Sequence, residues 1–390
     1  MFDTLIQYWR LTGDSQYNSL TSQALLFQQG DLSNFMPLNQ TKTLGNDDQT
    51  TWALAAMSAA EASFPEAEGQ TKWLALADAV FNNLVARWDE ETCGGGLRWQ
   101  IFPFNRGYDY KNSISTGMFF QLSARLARFT GNSTYSEWAD KSFSWATESG
   151  FIDSKWNVFD GADAEGNCST IIELQPSYAA GTFISGAAHM YNITSGSAKW
   201  KSSLDGLLSN ALTTFFPSGI ATEVMCELSD KCNIDQRLFK GLLAHWLVDT
   251  VQVAPYTSDS IMPKFTSSAE AAAKYCTVGQ CSLMWRANDG GTDGNIKDLS
   301  NDISALSFVQ GLLVKDVKAT GTQTSGGGGN ATTTGGGSGN ANGGMNSAAP
   351  SGTSGTPSVT PAGNAASSGF QNLGMGSLVM LMGAIGWMVL

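Results

Sequence analysis

The sequence predicts an all-α fold, a toroid of alternating inner and outer helices. Three observations predict it. A Gly–polar–Ser turn followed by an aromatic recurs in "LTGDSQYNSL" (11–20), "FTGNSTYSEW" (129–138) and "ITSGSAKWKS" (193–202). Related turns fall in "EGQTKWLALADAV" (68–80) and "APYTSDSIMPKF" (254–265). The turn centres lie near residues 13, 69, 131, 196 and 257. Their period of roughly sixty residues suits a helix–turn–helix unit with its loops. Second, the segments between the turns are rich in Ala, Gly, Leu, Phe and Ser and poor in charge, so they read as buried helices. Third, the alternate segments, such as 70–88, carry charge along one face.

The elements follow in order. "MFDTLIQYWRLTGDSQY" opens as an amphipathic helix, without a basic n-region or cleavage site. The inner helices are expected at 49–62, 112–129, 179–192, 234–250 and 300–315. Five hairpins make an (α/α)6 barrel whose first helix is truncated, with the sixth inner partner expected upstream of Met1. An open α-solenoid is the rival architecture, but its repeats are shorter, ~35–45 residues. The barrel is expected over 1–317. A stretch rich in Gly, Ser, Thr and Asn, 318–369, follows as a flexible stalk. Residues 370–390 end in "GSLVMLMGAIGWMVL", shorter than a comfortable membrane span of ~20 residues and without basic stop-transfer residues after it. Small residues "GNAASSG" (363–369), a spacer and an apolar tail read as a GPI-attachment signal. Asn364 is the first choice for the attachment residue, ahead of Ser367 and Ser368. A single C-terminal membrane helix is the alternative.

Composition narrows the function. The chain has 390 residues, 42% hydrophobic and 14% charged, enough apolar material for a large core. Its net charge of −12 repels phosphate backbones and argues against nucleic acid as a partner. Twelve Trp and nine Tyr include the usual platforms for sugar rings, although most belong in the core.

Six cysteines accompany N-glycosylation sequons at Asn39, Asn132, Asn167, Asn192 and Asn330, so a secreted, disulfide-bonded protein is expected. A zinc site from Cys226, Cys232, Cys276 and Cys281 is the rival; the gap between Cys226 and Cys232 is wider than ordinary zinc spacing. Local pairs Cys226–Cys232 and Cys276–Cys281 would leave Cys93 with Cys168, a connectivity that sequence leaves open.

In a toroid the loops that lead into the inner helices gather at one end. They include "LGNDDQ" (44–49), "CGGGLRWQIFPFNRGYDYKN" (93–112), "ELQPSYAAG" (173–181), "CNIDQRLFKG" (232–241) and "RANDGGTDGNIKDLSN" (286–301). Their Asp, Asn, Gly and aromatic residues outline an acidic, aromatic bowl suited to sugars. Asp47 and Asp48 stand side by side there, at the start of a helix. Glycoside chemistry uses two carboxyls, ~5–5.5 Å apart in retaining enzymes and ~6.5–9.5 Å apart in inverting ones. Adjacent residues entering a helix reach the shorter separation, and their coupling divides acid from nucleophile. The positive helix end favours the ionised member.

Other readings compete. Asp at a helix start is ordinary capping. "GNDDQTT" lacks the alternating oxygen ligands of a calcium loop. His189 and His245 lie inside helices as packing residues, which leaves a His-activated nucleophile unsupplied. "CGGG" (93–96) is a turn rather than a phosphate cradle. No metal and no cofactor are called for.

Five stretches in chain order carry a resemblance. They are "NQTKTLGNDDQTTWALAAMSAAE" (39–61), "CGGGLRWQIFPFNRGYDYKNSIS" (93–115), "GTFISGAAHMYNIT" (181–194), "CNIDQRLFKGLLAHWL" (232–247) and "CSLMWRANDGGTDG" (281–294). Together they resemble the fungal branch of glycoside hydrolase family 76, over about residues 1–315. The resemblance implies an (α/α)6 barrel, retention at α-1,6-linked mannose, Asp47 as nucleophile and Asp48 as general acid/base. It implies α-1,6-mannan or the mannose core of GPI glycans as substrate, β-glucan as acceptor, and a GPI-anchored place at the outer face of the plasma membrane or in the cell wall. Asn46, Trp99, Gln100, Asn112, Asp235, Gln236, Lys240, Trp285 and Asp289 are the expected substrate contacts. Trp99 is expected to stack on mannose, and Lys240 to pair with the acids. "RWQ" (98–100) and "PSYAAG" (176–181) vary the family's loops, and its secretion signal and first helix are missing. A mannan-binding barrel without turnover and a structural wall mannoprotein are the rival functions.

Overall fold

The computed structural model describes residues 1–323 except 41, 67, 230 and 287–296. Among the described residues, five helical hairpins and one further helix follow in order. They are α1 (Phe2–Thr12) with α2 (Asn18–Gln28), α3 (Asn46–Glu61) with α4 (Trp73–Ala86), α5 (Ser113–Thr130) with α6 (Ser133–Glu148), α7 (Ser177–Ile193) with α8 (Ala198–Thr214), α9 (Gln236–Val253) with α10 (Ser258–Lys274), and α11 (Leu299–Gly311). Each odd-numbered helix packs on the next, and α11 packs on α1, so six inner helices close a ring. The even-numbered helices form the outer shell.

The sixth inner position, expected upstream of Met1, is held by α1. Asp3 pairs with His245 at 3.1 Å and Arg10 with Gln252 at 2.6 Å. Both contacts advance seven residues, so α1 runs parallel to α9 beside its C-terminal half. With 11 residues, α1 is shorter than α3, α5, α7 and α9, which have 16 to 18.

Small residues let the inner helices approach closely. A Cβ at Gly241 of α9 would stand 2.7 Å from the Cα of Ser304 in α11, a distance that bulkier side chains forbid. The ring axis is polar as well as apolar. Arg125 of α5 is buried and meets Glu61 Oε2 at 2.9 Å and Ser58 Oγ at 2.8 Å, both on α3. A buried cation this well paired keeps its charge, and losing one partner would strand the other. His189 and His245 are buried among the inner helices, as expected of packing residues.

The hairpin turns lie at the base, where the inner helices end. Gly13 and Gly131 follow α1 and α5 with φ of 77° and 76°, and their N–H groups return to Trp9 and Ala127 carbonyls. That left-handed cap is why glycine marks the repeat. At the opposite end the loops form a small antiparallel sheet, β1 (Tyr110–Asn112), β2 (Gly161–Asp163) and β3 (Ile171–Ile172). A hairpin of β4 (Cys276–Thr277) and β5 (Gln280–Cys281) lies between α10 and α11.

The disulfides are Cys93–Cys168, Cys226–Cys232 and Cys276–Cys281, so the four cysteines of the zinc alternative are paired off. Arg128, in the last turn of α5, donates to Thr320 O at 2.8 Å, so the chain leaves the barrel at its base. Among the described residues no helix is long and apolar enough to cross a membrane. The stalk beyond 323, the apolar tail, Asn330, Asn364, Ser367 and Ser368 lie outside the described residues.

Candidate active site

The acid pair sits at the N-terminus of α3, where a short strand crosses it. Residues 98–100 pair with Gly45 on one side and Lys111 on the other. Asn46 N–H donates to Trp99 O at 2.8 Å, and Trp99 N–H to Tyr110 O at 2.7 Å. Trp99 is thereby brought over the helix start, and its indole Nε1 donates to Asp47 Oδ2 at 3.1 Å. Gly107, with φ of 95°, lies against the indole, and a Cβ there would overlap the ring. The Asp48 carboxylate folds back to accept the Gly45 N–H at 2.8 Å. A Cβ at residue 45 would overlap Asp47 Oδ1 and stand 3.2 Å from Asp48 Oδ2, so both carboxyls converge over Gly45.

Both members of the pair are pushed toward the protonated form. Burial is the larger cause for Asp47, followed by the charge of Asp48. Burial again leads for Asp48, with the Asp235 carboxylate adding to it and the Gly45 N–H opposing it. Asp47 is half-buried, with Oδ1 lacking a partner, whereas Asp48 is open to the cleft. Two coupled carboxyls in such a place share one proton over a wide pH range. This is what general acid chemistry requires.

The other expected contacts divide sharply. Trp99 and the exposed Asp235 at the start of α9 face the pair. Gln236 also lies at the start of α9, half-buried, where it and Asn233 exchange side-chain-to-backbone bonds of 2.9 Å. Asn46 is buried, and both ends of its side chain are used: it donates to Arg98 O at 2.8 Å and accepts from Arg87 at 2.7 Å. It positions the helix start and the strand rather than a sugar. Gln100 is buried against Asn105, and Asn112 is the N-cap of α5, accepting the Ser115 N–H.

Lys240 and Trp285 are also corrected. Lys240 is fully buried, paired with Glu227 at 2.9 Å and 3.8 Å from the Trp285 ring centroid. Its partner is therefore not the acid pair. Trp285 is core, donating to Ser282 O. Asp289 lies outside the described residues. Of the sequons, Asn39, Asn132, Asn167 and Asn192 are exposed.

Sequence reasoning missed Tyr178, Glu223, Lys111 and Arg87. Tyr178, at the start of α7, stacks face to face on Phe239 with centroids 3.8 Å apart. Burial, and then the charges of Asp47, Asp160, Glu223 and Asp235, keep its hydroxyl protonated. Glu223 caps α7, accepting the Ser177 N–H at 3.2 Å and the Ser177 hydroxyl. Lys111 is buried behind the Trp99 strand, donating to the carbonyls of Asp89, Thr92 and Gly95 at 2.6–2.8 Å. Arg87 braces both Asn46 and Gln49, at 2.7 and 2.6 Å. The aromatic in "PSYAAG" was a visible signal for Tyr178; the others depend on contacts across tens of residues.

Among the described residues six inner helices form an (α/α)6 barrel, and an acid pair with an indole bonded to one carboxyl lies at its mouth, an arrangement suited to carboxylate chemistry. The sequence profile of glycosyl hydrolase family 76 matches residues 1–324, and the chain belongs to that family. It is a glycoside hydrolase. A putative mannan endo-1,6-α-mannosidase of Schizosaccharomyces pombe is 45% identical over 320 residues, covering 80% of this chain and 72% of that protein. The mannan endo-1,6-α-mannosidase DFG5 of Saccharomyces cerevisiae is 40% identical over 353 residues, 89% of this chain and 75% of that one. The crystal structure of Dfg5 from Chaetomium thermophilum in complex with glucosamine is similar with a TM-score of 0.78 and 40% identity, over 83% of this chain and 81% of that one. An inactive variant of the α-1,6-mannanase GH76A of Salegentibacter sp., in complex with α-1,6-mannotriose, has a TM-score of 0.66 at 18% identity, over 80% and 87% of the two chains; this likeness concerns the fold alone.

Proposed function

We propose that this chain is a retaining mannan endo-1,6-α-mannosidase. The observation that carries the reading is the convergence of Asp47 and Asp48 over Gly45. One oxygen of each carboxyl lies beside that single point, which favours the short ~5–5.5 Å separation of retaining enzymes over the ~6.5–9.5 Å of inverting ones. The names of the fungal relatives support α-1,6-linked mannose as the substrate.

Asp47 is the nucleophile and Asp48 the acid/base in this reading. Asp47 is the more buried member and is pushed toward its protonated form. Attack requires that proton to pass to Asp48, which faces the cleft. The Asp47 carboxylate then bonds to the anomeric carbon as the glycosidic C–O bond breaks, and Asp48 protonates the departing oxygen. In the second step a water or a sugar hydroxyl attacks the anomeric carbon and gives its proton to Asp48. The ester to Asp47 breaks, and both groups are restored. The indole N–H of Trp99 keeps Asp47 aimed, and its half-exposed ring offers a platform for mannose.

The finer reading adds transfer to hydrolysis. An acceptor hydroxyl that outcompetes water would make the chain a transglycosylase acting on the mannose core of GPI glycans, with cell-wall β-glucan as acceptor. A C-terminal GPI anchor would hold it at the outer face of the membrane. Deleting residues 377–390 should then release it into the medium; continued retention would count against the anchor. The central test is a 2-fluoro-mannosyl trap read by peptide mass spectrometry. A label on Asp47 is expected. A label on another residue, or turnover without any label, would overturn the assignment of Asp47, and the absence of both label and turnover would favour a mannan-binding barrel.

A further inference from the structure

A large groove on the described surface lies away from the acid pair. It runs between the outer helices α8 and α10 and has a volume of about 860 Å³. Along α8 it is lined by Asp205, Leu208, Ser209, Leu212 and Thr213, spaced i, i+3, i+4, i+7 and i+8. That spacing is one helix face, extending about 12 Å at ~1.5 Å per residue. The two leucines form an apolar floor. Hydroxyls and a carboxylate form the bank, and Ser260 and Lys264 of α10 face them.

One end of the groove carries a fixed aromatic ring. Tyr256 is 41% exposed, and its hydroxyl donates to Asp205 Oδ1 at 2.9 Å. Lys201 Nζ lies 4.8 Å from the ring centroid, and the Tyr191 ring packs at 5.1 Å. Lys201 also pairs with Asp205 Oδ2 at 2.6 Å. Immediately beyond Asp205 a second depression of about 540 Å³ opens, lined by Trp156, Lys201, Asp205 and Gly206. The Trp156 indole lies on Gly206, where a Cβ would overlap it. Trp156 has a φ of 67°, a conformation that a bulky side chain rarely adopts. The left-handed backbone and the indole's seat on α8 occur together at this residue.

We infer that this groove is a second glycan-binding site, outside the catalytic cleft, for a strand of neutral hexose polymer. The chemistry matches. A pyranose presents an apolar C–H face to an aromatic ring and a rim of hydroxyls to a carboxylate, an ammonium and serines. Here two aromatic rings flank Asp205 and Gly206, with Lys201 between them and an apolar floor continuing along α8. Such a strand would be held beside the barrel wall while another part of the polymer, or another chain, occupies the cleft. The site rests on its own residues and stands whether or not Asp47 is the nucleophile.

The test uses the full chain and immobilised polysaccharide. Retention is measured on α-1,6-mannan and on β-1,3-glucan, and turnover on soluble α-1,6-mannotetraose. The double substitution Trp156→Ala with Tyr256→Ala should weaken retention about tenfold and leave turnover of the tetramer within about twofold. Ser209→Arg leaves both rings in place and lays a long side chain along the groove, and should do the same. Loss on mannan alone, on glucan alone or on both supports the site and identifies its polymer. Unchanged retention with Ser209→Arg, alongside unchanged retention or a lost fold in the double variant, overturns it. So does turnover of the tetramer that falls in step with retention.

Discussion

Trp99 Nε1 donates to Asp47 Oδ2 at 3.1 Å, and the indole that carries it rests on the backbone of Gly107. Trp99→Phe keeps a ring on that platform and removes the donor. A hydrogen bond to a charged group contributes ~1.5–3 kcal/mol, and this one is partly solvated, so kcat on α-1,6-mannan should fall about tenfold with KM changed less. The same bond lowers the Asp47 pKa. Removing it moves the acid limb of the kcat/KM profile to higher pH. An unshifted acid limb would mean that the indole only stacks.

Gly45 is required by the carboxyls above it. Gly45→Ala places a methyl group where Asp47 Oδ1 lies. The Asp47 side chain must rotate off its bond with Trp99, and turnover should fall at least ~10²-fold, the scale of a misplaced catalytic group. Stability should fall by only ~1 kcal/mol, the difference between glycine and alanine at an N-cap. Thermal melts beside activity assays separate the two. Near-normal turnover would show that the carboxyls do not need this geometry.

The two aspartates should fail differently. In the proposed mechanism Asp47→Asn removes the group that forms the glycosyl-enzyme, and no substrate should restore activity. Asp48→Asn removes proton donation, worth typically ~10²–10⁴-fold. A substrate with an acidic leaving group needs little protonation and should restore the first step for Asp48→Asn alone. Pre-steady-state kinetics would then show a burst, with the second step limiting. Equal rescue of both variants would contradict the division of roles.

Much of the ring was legible because it repeats. Glycine turns near 13, 69, 131 and 196 recur at a steady interval and sit at the base of successive hairpins. The five inner helices expected from α3 onward begin within three residues of expectation, since runs rich in small and apolar residues set them apart from the polar loops before them. The membership of α1 in the inner ring was not legible. The opening stretch shows only an amphipathic helix, and it is contacts distant in sequence that place it: Asp3, Gln7 and Arg10 meet His245, Gln310 and Gln252 across the interior. The strands at the mouth are two or three residues long, too short to show a period. The site was half legible. Asp47 and Asp48 are adjacent in sequence, and Trp99 lies in an aromatic loop. Lys240 and Trp285 carry the residue types of a sugar subsite and are buried in a cation–aromatic contact instead. Residue type cannot separate those cases; burial does.

Glu223 makes stability depend on pH in an unusual direction for a carboxylate. It is fully buried, and burial first, then the nearby Glu227 charge, raise its pKa from 4.5 to about 8, against the pull of the Ser177 hydroxyl and N–H and of Lys240. The folded chain therefore holds a proton there that the unfolded chain releases above pH 4.5. The stabilisation from this group is complete below the unfolded value and is lost as pH rises through the folded one. The melting temperature should fall between about pH 5 and pH 8, by an amount equivalent to a few kcal/mol at most. Glu223→Gln keeps an acceptor for Ser177 and cannot ionise, so its melting temperature should fall less over the same range. The two proteins should melt within a few degrees of each other near pH 4.5, and the variant should be the more stable near pH 8. A parallel decline in both would place the titrating group elsewhere, and a variant that is less stable at every pH would show that Glu223 is ionised in the fold.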